Sequence, residues 1–559
     1  GQKTTEPLLR KLNCSYCGVR GTSNWNTMYR PTRTFVGIHK WVVFLCLATA
    51  AATTTTTTTW QFLSAYPRHL LTHQIPDNAF SIDGNLDKYP WSTAKFSPTF
   101  VDITEHTTDA LNNVPSYNQA SVATFYDTQY LYVAAKLHDP YTFAKVAMAH
   151  NGPEVPYHDN DFEFFVDPSG STEFYKEFEM NVNNATYDVN WGVPDQNGLS
   201  CDSTAARTHP YLPTCVNTSS HYYAGDWTMG DPSGNGQEGG LKTATLAPSF
   251  GVLDAKAVWN VEIAFPLRAG ANHGGLLDTD SVLSQSSSGF YNYSRFDPIN
   301  NIDNHNPLYW AADFARTVHP RKFFASDGSF VWCPLNNCTT DGIAAAINVS
   351  HAAPTASECS ALAKLDPTML GSDPSYGCYW EWVLQNLGPN NAYMHRPLNW
   401  AYLQFVSSTK NGTNGTNGTS NGTNLTCGNI EFPVRHLARA IHDAQRYHYS
   451  QTSTYATTVL DLIATCRNSS SSACALSDIN DLAYATTTPT IFDMAIHMDT
   501  NASVLNETCT RRPCYLSTIT LVVPDSNGFK VVGTINENKR LSVERIMGGG
   551  GSGAVPCLF

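Results

Sequence analysis

Residues 159–170 read DNDFEFFVDPSG, and residues 175–181 read YKEFEMN. The first is an apolar run that ends at a turn signal, and the second alternates between polar and apolar residues, which is the period of a β-strand. This alternation puts Glu177, Glu179 and Asn181 on one strand face, which we expect to be exposed to solvent. From residue 80 onward, similar short runs rich in Val, Ile, Tyr and Phe are separated by Gly, Pro, Asn and Asp. The pattern predicts a mainly β fold, an antiparallel, jelly-roll-like β-sandwich.

The composition restricts the class of partner. The chain has 559 residues, 42% of them hydrophobic, which is enough for two or three folded units. Its formal net charge is -13, with only 14% charged residues. Because nucleic acid and anionic membranes attract basic surfaces, neither is an expected partner. No internal apolar run is long enough for a membrane span, so a neutral ligand fits the sequence better.

The first 52 residues have the features of a leader. Basic residues precede an apolar run at 41–52, which contains the small-residue cleavage pattern Ala48-Thr49-Ala50. Residues from about 28 to 50 therefore predict a signal peptide, and a retained signal anchor is the alternative. The predicted location is secreted, extracellular or at the cell surface.

Cysteine usage agrees with an oxidising compartment. Three of the 15 cysteines lie in the leader, and the remaining 12, from Cys201 onward, are an even number. Close spacing suggests the pairs Cys201 with Cys215, Cys333 with Cys338, Cys359 with Cys378, and Cys509 with Cys514.

Asn-x-Ser/Thr sequons are frequent along the chain, and each is a potential N-glycosylation site in the secretory pathway. They begin at Asn184, Asn217, Asn292, Asn337, Asn348, Asn411, Asn414, Asn417, Asn421, Asn424, Asn468, Asn501 and Asn506.

Composition shifts divide the chain into segments. Gly-, Ser-, Asn- and Cys-rich stretches at 193–257 and 333–392 predict loop insertions in the sandwich. Apolar residues at helical spacing from Val434 to Tyr447, followed by strand-like runs at 515–523 and 529–535, predict a small α+β tail domain. The expected segments are a leader at 1–52, a Thr-rich spacer at 53–79, the sandwich at 80–406, an N-glycosylated linker at 407–426, the tail at 427–547 and a disordered C-terminus at 548–559.

A series of motifs carries a resemblance to a known family. In chain order they are FSIDGNLDK from 80, TFVDI from 99, FYDTQYLYVAAKL from 125, DNDFEFFVDPSG from 159, YKEFEMN from 175, NATYDV from 184, WNVEIAFPL from 259, DFAR from 313, FVWCP from 330 and HRPLNWAYLQF from 395. Together, over residues 80–406, they resemble the family 9 carbohydrate-binding modules. More weakly, residues 436–462 resemble the helix that follows the module in similar proteins.

The resemblance implies a non-catalytic β-sandwich that binds soluble sugars or polysaccharide ends of the β-glucan or xylan type, using two aromatic side chains and several polar groups. The first aromatic falls on Tyr157 and a ligand-bonding carboxylate on Glu163. Glu179 stands where such modules have an arginine. The second aromatic position falls on Met394, and Tyr393, Trp332 or Trp400 are alternatives. Glu177 and Asn181, which share the strand face of Glu179, are further candidate contacts.

The sequence indicates no cofactor, although structural calcium is an alternative. Asp83, Asp102 and Asp167 are hard oxygen ligands in loops, which suit calcium. Asp83-Gly84 and Asp167-Pro168 are more typical of turns.

Two other functions stay open. A glycoside hydrolase needs two carboxyl groups, and the Cα atoms of Glu177 and Glu179 should lie about 6 to 7 Å apart along one strand. A cell-surface structural or adhesion glycoprotein is the second alternative, since tryptophan is missing at both aromatic positions.

Overall fold

The computed structural model describes residues 67–102, 114–149, 154–170, 175–191, 240–268, 275–277, 296–300, 308–335, 338–350, 352–365, 370–373, 377–384, 394, 397–407, 431–467, 469, 474, 476–489, 492–499, 514–521, 529–536 and 541–547. The predicted leader, the C-terminal segment and, apart from Ser407, the glycosylated linker lie outside these ranges. Within them, none of the helices combines the length and the apolar character needed to cross a bilayer.

Strands make up most of the described structure. They are β1 His69–Gln74, β2 Val101–Asp102, β3 Ala120–Tyr126, β4 Tyr130–His138, β5 Asp161–Asp167, β6 Tyr175–Asn181, β7 Thr186–Trp191, β8 Lys242–Leu246, β9 Val258–Pro266, β10 Leu308–Val318, β11 Arg321–Phe324, β12 Phe330–Cys333, β13 Asn348–Val349, β14 Leu370–Asp373, β15 Gly377–Val383, β16 Ala401–Val406, β17 Phe492–Asp499, β18 Cys514–Leu521, β19 Phe529–Asn536 and β20 Leu541–Met547. The helices are α1 Thr340–Ala345, α2 Ala356–Leu365, α3 Phe432–Thr452, α4 Val459–Cys466 and α5 Leu476–Thr487.

Thirteen strands form one large sheet, whose main path runs β7-β6-β5-β10-β16-β1-β3-β4-β9-β8. The sheet curls over on itself, because Phe164 of β5 and Phe178 of β6 contact Phe265 of β9 at 4.9 and 5.1 Å between ring centroids. Those strands lie far apart in the sheet order, so only a folded sheet brings the rings together. The mainly β, sandwich-like prediction is confirmed.

The sheet differs from the prediction in two ways. It is mixed rather than purely antiparallel, since β1 pairs in parallel with both β16 and β3. It also starts earlier than residue 80, because β1 lies within the segment predicted as a spacer. Residues 193–239 of the first predicted insertion lie outside the described ranges, but β8 within its remainder and β15 within the second insertion are strands of the main sheet, paired with β9 and β10.

The strand alternation sets up two different faces. On β6, Phe178 and Met180 enter the core inside the curled sheet. Tyr175 faces the other side, the outer face, where it packs with residues of the tail. Glu177, Glu179 and Asn181 share that outer face, as the alternation predicts, but they are 4%, 4% and 0% exposed. The face is therefore polar and buried, and the prediction that it is solvated is wrong.

The tail domain packs on the outer face of the sheet. Val434, Leu437 and Ile441 of α3 share one apolar cluster with Phe165 and Tyr175. Two arginines join α3 to the sheet side: Arg435 donates to the carbonyl of Gly170, and Arg439 Nη1 donates to Asn399 Oδ1 at 2.7 Å. The sheet and the tail therefore share a core.

The predicted helix and strands of the tail are present. Helix α3 covers the predicted amphipathic segment, and β17–β18–β19–β20 form an antiparallel sheet, with β18 and β19 close to the predicted runs. Proline at its start and Ser453 at φ 60° at its C-cap fix the ends of α3.

Disulfides join Cys333 to Cys338 and Cys359 to Cys378, as spacing suggests. A third, between Cys466 and Cys474, links the end of α4 to the segment before α5 and was not anticipated. Cys201, Cys215 and Cys509 lie outside the described residues. Of the predicted glycosylation sites, Asn348 is exposed on β13 and Asn184 is half-buried in a turn; the remaining sequon asparagines also lie outside the described residues.

Candidate functional site

Four carboxyl groups lie on the outer face of the sheet, on strands of the series β6-β5-β10-β15. Asp161 and Glu163 lie on β5, Glu179 on β6 and Glu381 on β15. Glu163 pairs directly with Glu179, and Thr317 of β10 pairs with Glu381. We call these four residues the carboxylate cluster.

Thr317 holds two members of the cluster in place. Its hydroxyl donates to Glu163 Oε1 at 2.8 Å, and its backbone N–H donates to Asp161 Oδ1 at 2.9 Å. Because Glu381 lies opposite Thr317 on the next strand, this threonine links β5 to β15 across the cluster.

The cluster is buried, and the positive charge of Arg316 acts on Asp161 without forming an ion pair with it. Asp161, Glu163, Glu179 and Glu381 are 0%, 2%, 4% and 8% exposed. Within the described ranges, none of the four forms an ion pair with a lysine or arginine. Asp161 Oδ2 and Glu381 Oε2 also have no hydrogen-bond partner. Burial of ionised carboxylates without partners is costly, so the cluster favours protons or a positively charged ligand.

Burial raises the pKa of each carboxyl group in the cluster. Desolvation raises the pKa of Glu163 to about 7, and desolvation together with the charges of Glu163 and Asp102 raises the pKa of Glu381 to about 8. The pKa of Asp161 is raised by burial and by Glu163, and that of Glu179 by burial and then by Glu177. Near neutral pH the cluster therefore retains protons that exposed carboxylates would have lost.

Tyr157 lies at the rim of the cluster. It is in the 3-10 turn Pro156–His158 and is half-buried. Its backbone N–H donates to Glu179 Oε2 at 3.2 Å, and its carbonyl accepts from His319 Nε2 at 2.9 Å. Burial lowers the pKa of His319 to about 4, so this imidazole is neutral and its Nε2–H is the donor. The turn that carries Tyr157 is thus bonded to both β6 and β10.

The structure brings together Tyr157, Glu163 and Glu179 of the predicted site residues. Glu177 lies on the same face, opposite Val189 and Phe165. Asn181 has a structural role, because its amide donates to the Val146 carbonyl and its oxygen accepts the backbone N–H groups of two turn residues.

Three other predicted site residues lie elsewhere. Trp400 is 1% exposed and Met394 4% exposed. Trp400 packs at 5.7 Å from Phe165 and 5.1 Å from Tyr175, and its Nε1 donates to the Met394 carbonyl. Both belong to the core that α3 covers. Neither side chain is therefore exposed beside Tyr157 as a second contact for a sugar. Trp332 is half-buried on β12 in a separate three-stranded sheet, with Lys322 Nζ 4.8 Å from its ring centroid. Tyr393 lies outside the described residues.

The aspartates considered for calcium have separate surroundings. Asp83 accepts from the Asn85 N–H and pairs with Lys88, while Asp167 accepts from Ser169 and Gly170. Asp102 lies opposite Trp382 on the sheet. Among the residues that the structure describes, no group of three or more His, Cys, Asp or Glu side chains is arranged to hold a metal ion.

Buried Glu262 supports the Asp83-Gly84 turn. Its carboxylate accepts the backbone N–H groups of Asp83 and Gly84 at 2.7 and 2.8 Å, and Trp91 Nε1 at 2.7 Å. Gly84 has φ +80°, and a Cβ there would lie 2.7 Å from the Thr245 carbonyl carbon. These contacts give the turn a structural role.

Sequence reasoning missed Asp161, Thr317, His319 and Glu381. Two signals were available: Asp161 lies two residues before Glu163 in one strand-like run, and in Trp380-Glu381-Trp382 a lone glutamate alternates with core tryptophans. The second signal puts Glu381 on the face opposite the core, but only the pairing of β15 with β10 shows that this face contains the cluster.

No family model matches the sequence, and no curated protein matches it. Two solved structures of a family 9 carbohydrate-binding module from Caldicellulosiruptor kristjanssonii, with cellotriose and with glucose, match at 11% identity and a TM-score of 0.27. They cover 63% and 62% of this chain and 100% of the module. A candidate carbohydrate-binding protein from Bacteroides uniformis matches at 11% identity and a TM-score of 0.29, over 61% of this chain and 100% of that one. Likeness at this level does not assign a site.

Proposed function

We propose that the protein binds carbohydrate without cleaving it, at the carboxylate cluster beside Tyr157. The observation that carries this proposal is the hydrogen bond from the Tyr157 N–H to Glu179 Oε2. It keeps an aromatic residue next to the carboxylate cluster. The apolar C–H face of a pyranose stacks on an aromatic ring, and its hydroxyl groups donate to carboxylate oxygens. A half-buried ring beside buried acceptors offers both kinds of contact.

The resemblance to family 9 modules favours a β-glucan or xylan-type ligand. Such chains present flat apolar faces to an aromatic side chain, and their hydroxyl groups need acceptors at fixed positions. Within the cluster, Asp161 Oδ2 and Glu381 Oε2 are buried without a hydrogen-bond partner, and we assign this acceptor role to them.

Protonation favours a binder over a glycoside hydrolase. A hydrolase of the usual kind needs one ionised carboxylate and one protonated acid beside the scissile bond. Here Glu163 and Glu179 lie directly opposite each other, and the pKa values of both are raised, so neither is held as the ionised partner. The pair therefore supports hydrogen bonding to a ligand better than nucleophilic or general-base catalysis.

Secretion and N-glycosylation are part of the proposal. The three disulfides among the described residues suit an oxidising compartment, and the sequon residue Asn348 is exposed on β13, where a glycan fits. Intact-mass measurement of the expressed protein, before and after removal of N-glycans, tests both claims. An unshifted mass would contradict glycosylation.

The binding proposal is tested by isothermal titration calorimetry of the glycosylated chain with cello- and xylo-oligosaccharides, preceded by a glycan array. Saturable binding to one of these series supports it. Because Met394 and Trp400 are buried, neither provides a second side-chain contact for a sugar. Their burial favours the alternative of a structural or adhesion glycoprotein. An array without any bound glycan would support that alternative and contradict carbohydrate binding.

A further inference from the structure

We propose that an N-glycan on Asn348 lies across the exposed face of the small sheet β12-β11-β13, with its first sugar units stacked on Phe324 and Phe330. This inference rests on the N-glycosylation part of the proposed function and does not involve the carboxylate cluster.

The small sheet has one buried face and one exposed face. Phe323, Cys333 and Val349, one from each strand, are 3%, 2% and 6% exposed and belong to the same apolar cluster. Because successive side chains of a strand point to opposite faces, Phe324 and Asn348 lie on the other face. That face is the accessible one, since Asn348 is exposed and Phe324 is half-buried.

A row of three side chains crosses the exposed face. Asn348 on β13 is paired with Phe324 on β11, and Phe324 is paired with Phe330 on β12. Directly paired side chains of antiparallel strands lie on the same face, with Cβ atoms about 5 Å apart. The ring centroids of Phe324 and Phe330 are 5.7 Å apart. A sugar attached to Asn348 therefore starts beside one ring and is one strand spacing away from the second.

Asn348 is placed for modification. It begins the sequon Asn348-Val349-Ser350 and lies on β13, an edge strand of the described small sheet. Its Oδ1 accepts the backbone N–H of Val349 at 2.8 Å, which orients the side-chain amide whose nitrogen carries a glycan. An attached glycan therefore has the solvent at the sheet edge on one side and the aromatic row on the other.

The protein leaves Phe330 accessible. Lys322 Nζ lies 5.1 Å from the Phe330 ring centroid and 4.8 Å from that of Trp332, and it pairs with Glu358 Oε1 at 2.6 Å. Phe330 is nevertheless 48% exposed. The neighbouring row, in which Lys322 is paired with Trp332, is thus occupied by an ion pair, whereas the row that starts at Asn348 can take a sugar.

The chemistry of an N-glycan suits this row. Its first two units are β-linked N-acetylglucosamines, and the apolar C–H face of such a sugar stacks on an aromatic ring. The planes of Phe324 and Phe330 meet at 51°, so the two rings do not form a flat platform for a long straight chain. Covalent attachment at Asn348 also keeps the sugar at high effective concentration beside the rings. Both points favour the attached glycan over a free polysaccharide.

The first test is the rate of glycan release from the folded protein. Protein from a eukaryotic host is treated with peptide N-glycosidase, and occupancy of Asn348 is followed by glycopeptide mass spectrometry. Phe330→Leu keeps apolar bulk and removes the ring, so we expect release about threefold to tenfold faster. Phe250→Leu is the matched control, because Phe250 is 46% exposed and its ring packs near Phe143. It should leave the rate unchanged.

The second test is hydrogen exchange in a double-mutant cycle. Asn348→Gln, which removes the glycan, should lower amide protection in β11 and β12 about threefold or more, and Phe330→Leu should have a similar effect. The double variant should lose no more than either single variant, because both remove the same contact. Phe324→Leu replaces Phe330→Leu if the latter alters the circular dichroism spectrum.

The outcomes separate this inference from the proposed function. An unoccupied Asn348 in the parent protein would contradict glycosylation there and overturn the inference with it, while carbohydrate binding would stand. An occupied Asn348 whose release rate is the same in Phe330→Leu would overturn the stacking and leave glycosylation standing. Protection of β11 and β12 that rises with protein concentration, or with added cellotetraose, would assign the face to a second copy of the chain or to a free sugar. Either result would overturn the glycan as its occupant.

Discussion

Glu163 and Glu179 occupy directly paired positions on neighbouring antiparallel strands, and both are buried. Like charges at paired positions repel each other, and burial disfavours the ionised form of each. The pair is stable in the folded protein because its pKa values are raised and it holds protons. Any ligand that enters has to replace those protons with donors or positive charge of its own.

Stability should fall as pH rises through the range in which the cluster ionises. Unfolding returns Glu163 and Glu381 to an ordinary pKa near 4.5, so above that value the unfolded chain binds fewer protons than the folded one. Their contribution is full below the unfolded pKa and is lost as pH rises through the folded values of about 7 and about 8.

Thermal unfolding between about pH 7.5 and 9 measures this effect for Glu381, because there His319 is largely neutral in both states, with a pKa of about 4 when folded and near 6.5 when unfolded. Glu381→Gln should flatten the decline in Tm. The same slope in Glu381→Gln as in the parent protein would show that Glu381 does not titrate in this range.

Replacing Tyr157 should weaken binding without unfolding the protein. Tyr157→Ala should cost roughly 1 to 3 kcal/mol of binding free energy, since it removes a stacked ring from the rim. Calorimetry against the oligosaccharide that binds best gives the value. Tyr89→Ala is the control, because Tyr89 is 51% exposed and lies apart from the cluster. Equal losses in the two variants would remove Tyr157 from the site.

Trp400 should matter for stability. Trp400→Ala should cost about 3 to 5 kcal/mol of unfolding free energy, because it opens a cavity between the sheet and α3. Trp332→Ala, at a half-buried position, should cost about half of that or less. Denaturant unfolding of both variants provides the comparison. A Trp400→Ala protein of unchanged stability that binds no sugar would restore Trp400 as a ligand contact.

Two glycines with nearly the same backbone angle test the role of the Asp83-Gly84 turn. Gly84 has φ +80° and Gly328 has φ +82°, but only at Gly84 would a Cβ meet backbone atoms within 3 Å. Gly328→Ala should cost about 1 kcal/mol from strain alone. Gly84→Ala should cost at least about 2 kcal/mol more, because Thr245 cannot move aside without disturbing β8. Similar unfolding midpoints for the two variants would mean that the turn is free to shift.

The local sequence pattern predicted where the strands lie, but it did not predict that their polar face is buried. The alternation in residues 175–181 correctly put Glu177 and Glu179 on one face, because strand period depends only on local geometry. That this face is buried depends on other elements: α3 packs against Tyr175, the turn at Tyr157 bonds to Glu179, and the segment around Val146 bonds to Asn181. Polar side chains in a strand therefore indicated a face, but gave no information about the element that covers it.

The site was predicted in part for the same reason. Tyr157, Glu163 and Glu179 lie on adjacent elements, and the sequence resemblance located them. Glu381 and Thr317 join them only through the pairing of β10 with β5 and β15, which no local pattern specifies, whereas Asp161 lies on the same strand as Glu163. Trp400 was a reasonable aromatic candidate, but an indole in an alternating strand packs equally well in a core, and here it does so.

Strand β1 lies between β3 and β16, and this order determines when the sheet can form during synthesis of the chain. The sequence separation between Gln74 and Ser407, which hydrogen-bond beside β1 and β16, is 333 residues. During translation, β1 and β10 therefore leave the ribosome long before the strand that pairs with both of them. Contacts between residues so far apart in the sequence form slowly, and until they form, the unpaired strand edges can pair with the wrong strand. The central sheet can therefore close only after residue 406 has been synthesised, and translation products that stop before residue 401 lack the strand that joins its two halves.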